Sequence, residues 1–214
     1  MTVLDLDVDL WSLDLPALQA DLRHPGTEVD RSEWWGLVGR TAGDGRPALI
    51  LQGHVGVVPT GDLSRWVDGD PFSAAVRGGV LYGRGACDMK AGLAVNLEVA
   101  AAVARSGVRL ERPLALHAVV SEEDGGLGAF ATLVRGHDGD AAVITEPTGG
   151  RAVVASAGAL TFEIRVAGRA AHGSARLEGV SAFEAFLPVH AALRELEAAR
   201  NARREPLFGD NRLP

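Results

Sequence analysis

The chain has 214 residues, 47% of them hydrophobic, and a formal net charge of −7. That length suits one large domain, or one domain with part of another, and the apolar share is enough for a core; the acidic balance argues against a nucleic-acid partner, which would require a basic face. The single cysteine, Cys87, forms no internal disulfide and suits a reducing cytoplasm, and neither a signal peptide over residues 1–20 nor a membrane span of about 18 apolar residues is expected.

Residues 3–11 alternate apolar and acidic side chains and predict a half-exposed strand, whereas residues 12–34 are turn-rich and weakly periodic. Short apolar runs at 48–51, 114–120 and 141–144, bounded by Gly and Pro, predict strands buried on both faces. Between them, residues 88–106 predict a helix ending at Gly107, and residues 127–135 a shorter one ending at Gly136. This order predicts an α/β fold with a mainly parallel sheet flanked by helices and a site at the C-terminal ends of the strands. The pattern changes near residue 158, where Leu160, Phe162, Ile164 and Val166 alternate with Thr161, Glu163 and Arg165, as in a strand of an antiparallel sheet with one wet face. A helix is expected over 180–200, with Phe183, Phe186, Leu187, His190, Leu193 and Leu196 as its apolar stripe. Domains are therefore expected at 1–157 and 158–214.

Four segments are expected to place a metal-capable side chain just after a buried strand: Gln52-Gly53-His54, Cys87-Asp88-Met89, Ser121-Glu122-Glu123-Asp124 and Thr145-Glu146-Pro147. An imidazole and several carboxylates at strand ends can converge on one cleft, and zinc accepts N and O donors. Each segment also has an ordinary reading: a structural histidine, an N-cap at Asp88, a solvated acidic loop, a plain loop residue at Glu146. Gly83-x-Gly85 is half of a dinucleotide fingerprint, but Asp88 stands at the third glycine position and would repel a pyrophosphate. No G-x-S-x-G elbow of a serine hydrolase occurs.

Taken together, and with Gly83 to Gly92, Gly168-Arg169-Ala170-Ala171-His172-Gly173-Ser174, Glu178-Gly179-Val180-Ser181-Ala182 and Pro206 to Asp210, the chain resembles the acetylornithine deacetylase and succinyl-diaminopimelate desuccinylase family of zinc-dependent amidohydrolases. The resemblance implies a zinc exopeptidase-like catalytic domain followed by part of a smaller lid or dimerisation domain. It implies hydrolysis of the amide of a small N-acyl amino acid, such as N-acetylornithine, by a zinc-activated water, with cobalt or manganese also compatible with the donor set. It places His54, Asp88 and Glu146 on a first ion, Asp88 and Glu123 on a second, and makes Glu122 the general base. His172 would stabilise the oxyanion in a neighbouring subunit, which implies a homodimer through the smaller domain. Glu122 and Glu123 can divide this work only if their loop bends, as Gly125 and Gly126 allow.

Three departures from the family pattern matter. Gly56 stands where the family has an aspartate that orients the zinc-binding imidazole, a loss worth about 10–100-fold in metal affinity or activity. Family members are longer, and their C-terminal part supplies a histidine to the second zinc; an N-terminal helical segment is also lacking. Two outcomes are expected to compete: an active amidohydrolase, and a truncated, catalytically impaired relative without turnover.

Overall fold

The acidic–apolar alternation at the start of the chain produces β1 (Asp7–Ser12), and Asp14 then caps α1 (Leu15–Ala20) by accepting from the Ala17 amide. This short helix lies in a stretch expected to be turns; its signal is the Asp14 cap with Pro16 in the first turn. The computed structural model describes residues 4–27, 29, 32–156, 158 and 162–202. The chain divides into two compact units, 1–150 and 151–214.

In the first unit, β2 (Trp35–Arg40), β3 (Leu49–His54), β6 (Leu114–Val119) and β7 (Ala141–Ile144) join β1 in a five-stranded sheet of order β1-β2-β6-β3-β7. The pairs β6–β3 and β3–β7 are parallel, and β1–β2 and β2–β6 antiparallel. The sheet is thus mixed, with its parallel half where the apolar runs predicted it and an antiparallel half added by the start of the chain. β2 is a strand that the sequence hides, because two glycines interrupt its short apolar run. A separate hairpin, β4 (Ala75–Arg77) with β5 (Val80–Tyr82), stands outside the sheet.

Helix α2 (Ala91–Ser106) packs on β3 and β6, and Leu6, Leu51, Ala100, Leu114 and Leu116 form the core there. Helix α3 (Leu127–Val134) packs on β2 and β6 through Leu13, Leu18, Trp34, Leu127 and Ala131. Gly107, in the left-handed region at φ 69°, ends α2 as its position in the sequence predicts. Every residue of β6 is buried, so this strand is the centre of the unit. β7 is a correction: it lies at the sheet edge with all four residues exposed, since only β3 pairs with it.

In the second unit, an antiparallel bridge joins Arg169 and Val180, the turn Gly173–Glu178 lies between them, and α4 (Ala182–Asn201) follows. Ser181 caps α4 by accepting from the Glu184 amide. The strand expected around 160–166 is a second correction. Residues 162–166 form no ladder, and Leu160 and Thr161, like the 206–214 tail, lie outside the described residues. Alternation prepares a strand, but only a hydrogen-bonded neighbour makes one. The apolar stripe of α4 is present, yet no residue of the helix is buried, and Phe183 is 71% exposed.

On the face of β6 opposite Leu116, His117 is 2% exposed, and its Nε2 has no hydrogen-bond partner. Burial, aided by the nearby His137, pulls its pKa from 6.5 down to about 4. The folded chain therefore holds this imidazole neutral where the unfolded chain would protonate it. Stability from this group is complete above pH 6.5 and falls as the pH drops toward 4, by about 1.4 kcal/mol per pH unit at most. His117→Leu is expected to flatten the stability–pH profile in that window, as read by denaturant unfolding at several pH values; an unchanged slope would contradict the assignment.

Candidate metal centre

The three parallel strands end side by side, and each delivers acidic or imidazole groups to the same place. His54 is the last residue of β3, between β6 and β7, and is 1% exposed. Glu122 and Glu123 follow β6, in a loop where Gly125 and Gly126 take φ 122° and 81° and the Gly126 amide donates to Ser121 O. This bend removes the alternation of an extended strand, so both glutamates can approach one point. Glu146 follows β7, held where the Thr145 amide donates to Gln52 O of β3. Asp88 is a correction: no buried strand precedes it, since β5 is exposed and outside the main sheet, and it sits in the turn Ala86–Lys90 that enters α2. Helix and strand end come close because residue 92 is glycine: a Cβ there would meet Thr145 O at 2.1 Å.

His54 Nε2 lies 3.1 Å from Asp88 Oδ1, 3.7 Å from Glu122 Oε2 and 3.9 Å from Glu146 Oε1. Ligand atoms of His54, Glu122 and Glu146 all fall within 4.8 Å of one another, and so do those of His54, Asp88 and Glu123. The four expected ion ligands and the expected base Glu122 therefore gather at one place, the other four around the His54 imidazole, although the two tight groupings cut across the expected ligand sets. Asp88 is not the cap of α2; Lys90 holds that position, without a side-chain bond.

The electrostatics suit a cation. Glu146 Oε1 is buried without a hydrogen-bond partner. Burial pushes the Glu146 carboxyl above the ordinary carboxylate range; Glu122, Asp88 and Glu123 push the same way, and His54 opposes them. A buried imidazole facing four carboxylates, one with an unpaired oxygen, is a donor set that a divalent ion such as zinc accepts. Among the described residues Arg84 and Lys90 form no ion pair with these acids. Lys90 Nζ donates to Val55 O at 2.6 Å, and Arg84 lies over the Trp66 ring and donates to Pro59 O, so both brace the 55–66 loop. Asp62 accepts from the Ser64 amide and hydroxyl. One contact has no sequence signal at all: His54 Nδ1 lies 3.0 Å from the main-chain oxygen of Gly56.

His172 belongs to the second unit and is exposed, at the start of the turn Gly173–Glu178. Its Nδ1 accepts from the Ser174 amide at 3.3 Å, which leaves Nε2–H as the outward donor of the neutral ring.

Comparison with known proteins gives a consistent result. Residues 50–206 match the family model of peptidase family M20/M25/M40. A probable succinyl-diaminopimelate desuccinylase of Staphylococcus aureus is 31% identical over 155 residues, covering 72% of this chain and 38% of that protein. An acetylornithine deacetylase of Erwinia tasmaniensis is 35% identical over 168 residues, 77% of this chain and 41% of that protein. The chain thus spans about two fifths of the length of these curated relatives. Among solved structures, human carnosine dipeptidase 1 aligns with a TM-score of 0.53 at 18% identity, over 68% of this chain and 30% of that one, a likeness of fold.

In the metal-free chain the acidic cluster repels itself. Glu146→Gln removes a partly buried charge whose ionised form the fold penalises, a penalty present above the raised folded pKa and relieved as the pH falls through it. This variant is expected to melt at a higher temperature than the parent in chelator near neutral pH, and the order is expected to reverse on adding zinc. A lower melting temperature in chelator would contradict the repulsion.

Proposed function

The chain belongs to peptidase family M20/M25/M40, and from that premise we propose that it is the metal-binding part of an amidohydrolase acting on a small N-acyl amino acid such as N-acetylornithine. The observation that carries this reading is the buried His54 with Nε2 turned toward Asp88, Glu122 and Glu146. His54, Asp88 and Glu146 hold the first ion, zinc by preference, with cobalt or manganese accepted by the same donors. Glu123, beside Asp88, serves a second ion position. The ion supplies Lewis acidity to the amide carbonyl and to the attacking water.

Glu122 performs the proton transfers: it takes a proton from the water as the oxygen bonds to the carbonyl carbon, then returns it to the nitrogen as the C–N bond breaks. Carboxylate and amine are the products. His172 donates through Nε2–H to the oxyanion in a second copy of the chain, which makes a homodimer through residues 158–214 part of the active form. The relatives named as a desuccinylase and a deacetylase favour this substrate class, and the free Cys87 fits a reducing cytoplasm.

A second reading, a relative that binds metal without turnover, is favoured by one feature: among the described residues the cluster contains one histidine, His54. It also predicts a stoichiometry. Site one has an imidazole and site two only carboxylates, so one tightly held ion per chain is expected after dialysis, counted by elemental analysis; two per chain would contradict this ligand division. Glu122→Gln separates base from ligand. As the base, it is expected to keep zinc and lose about 100-fold or more in deacetylase rate. Lost zinc affinity would make Glu122 a ligand instead, and unchanged turnover would refute the role.

A further inference from the structure

The sequence leaves the His54 imidazole without the acidic partner that the family pattern places two residues on, because residue 56 is glycine. The geometry supplies a different one. Nδ1 lies 3.0 Å from Gly56 O, and Nε2 lies 3.1 Å from Asp88 Oδ1. A carbonyl oxygen and an ionised carboxylate both only accept hydrogen bonds, and a neutral imidazole has a single N–H. The two sides of the ring are not equivalent. The Nε2 side faces acidic side chains able to share a cation, whereas the Nδ1 side faces one main-chain oxygen that only a hydrogen can satisfy.

We infer that the main-chain carbonyl of Gly56 is the positioning group of His54: it accepts from Nδ1–H, fixes the tautomer and ring orientation, and leaves the Nε2 lone pair aimed at the carboxylates. A backbone carbonyl is one of the ordinary outer partners of a metal-binding histidine. Here its place is set by the sheet, since the Val55 amide donates to Val119 O at 2.9 Å and Lys90 Nζ to Val55 O at 2.6 Å. Main-chain placement needs no side-chain rotamer to be frozen. Packing does not require the glycine, because a Cβ at position 56 would meet only Ser121 N, at 3.7 Å. The missing aspartate is therefore compensated, and the affinity loss expected from its absence does not follow.

The inference rests on the metal-centre reading above, and its test separates the two. Nitrogen-15 NMR of the His54 ring in the full chain, assigned with His54→Gln, is expected to show a proton on Nδ1 both without metal and with zinc added; an Nδ1 lacking its proton in either state overturns the inference. Replacing Val57 with its α-hydroxy acid turns the 56–57 amide into an ester, a weaker acceptor. Zinc affinity, read by chelator competition, is then expected to fall about tenfold; an unchanged affinity overturns the inference. So does a gain of about tenfold with Gly56→Asp, since it would mean that Nδ1 had lacked a partner. Should no zinc bind, the metal reading fails by itself, and the Nδ1 proton in the metal-free chain still decides the positioning role.

Discussion

The site is governed by one constraint: four acidic side chains are held close to a single buried imidazole, and among the described residues no Lys or Arg forms an ion pair with them. Like charges at such separation favour protonation or a shared cation. The two basic side chains nearest in sequence are committed elsewhere, Lys90 to Val55 O and Arg84 to Trp66 and Pro59 O. A bound cation would balance the cluster, and Glu146, with a buried oxygen that lacks a hydrogen-bond partner, has its carboxyl pushed up first by burial and then by the neighbouring acids.

The sheet creates this constraint. Parallel strands β6, β3 and β7 all end at one edge, and the segments after them supply Glu122, His54 and Glu146 in turn. Asp88 arrives from the opposite chain direction, at the entrance to α2, through the close approach that Gly92 permits. Burial differs in a useful way across the cluster. His54 is sealed between strands, whereas Asp88 and Glu122 remain about half exposed. A buried imidazole and more accessible carboxylates together leave the acidic side of the cluster open to solvent.

Away from the site, the chain carries much uncovered apolar surface. Val143 and Ile144 on β7, Val76 and Leu81 on the hairpin, and Phe183 and Leu187 on α4 are all well exposed. An edge strand such as β7 also presents unpaired main-chain groups on one side, a known route to association. These features accord with a chain that spans about two fifths of the length of its curated relatives.

The sequence by itself determined the parallel half of the sheet, helices α2 and α3, and the identity of the acidic and imidazole residues. Apolar runs, helical periodicity and capping glycines are local signals, and His54, Glu122, Glu123 and Glu146 lie at the ends of apolar runs. It did not disclose β2, the exposure of β7, or the lack of a ladder at 162–166, because strand pairing is a contract with a distant neighbour. Nor could it reveal that Lys90 braces a loop, or that Gly56 turns a carbonyl toward His54 Nδ1. Main-chain carbonyls are present at every residue, so which of them meets an imidazole is decided only when strands fix the backbone in space.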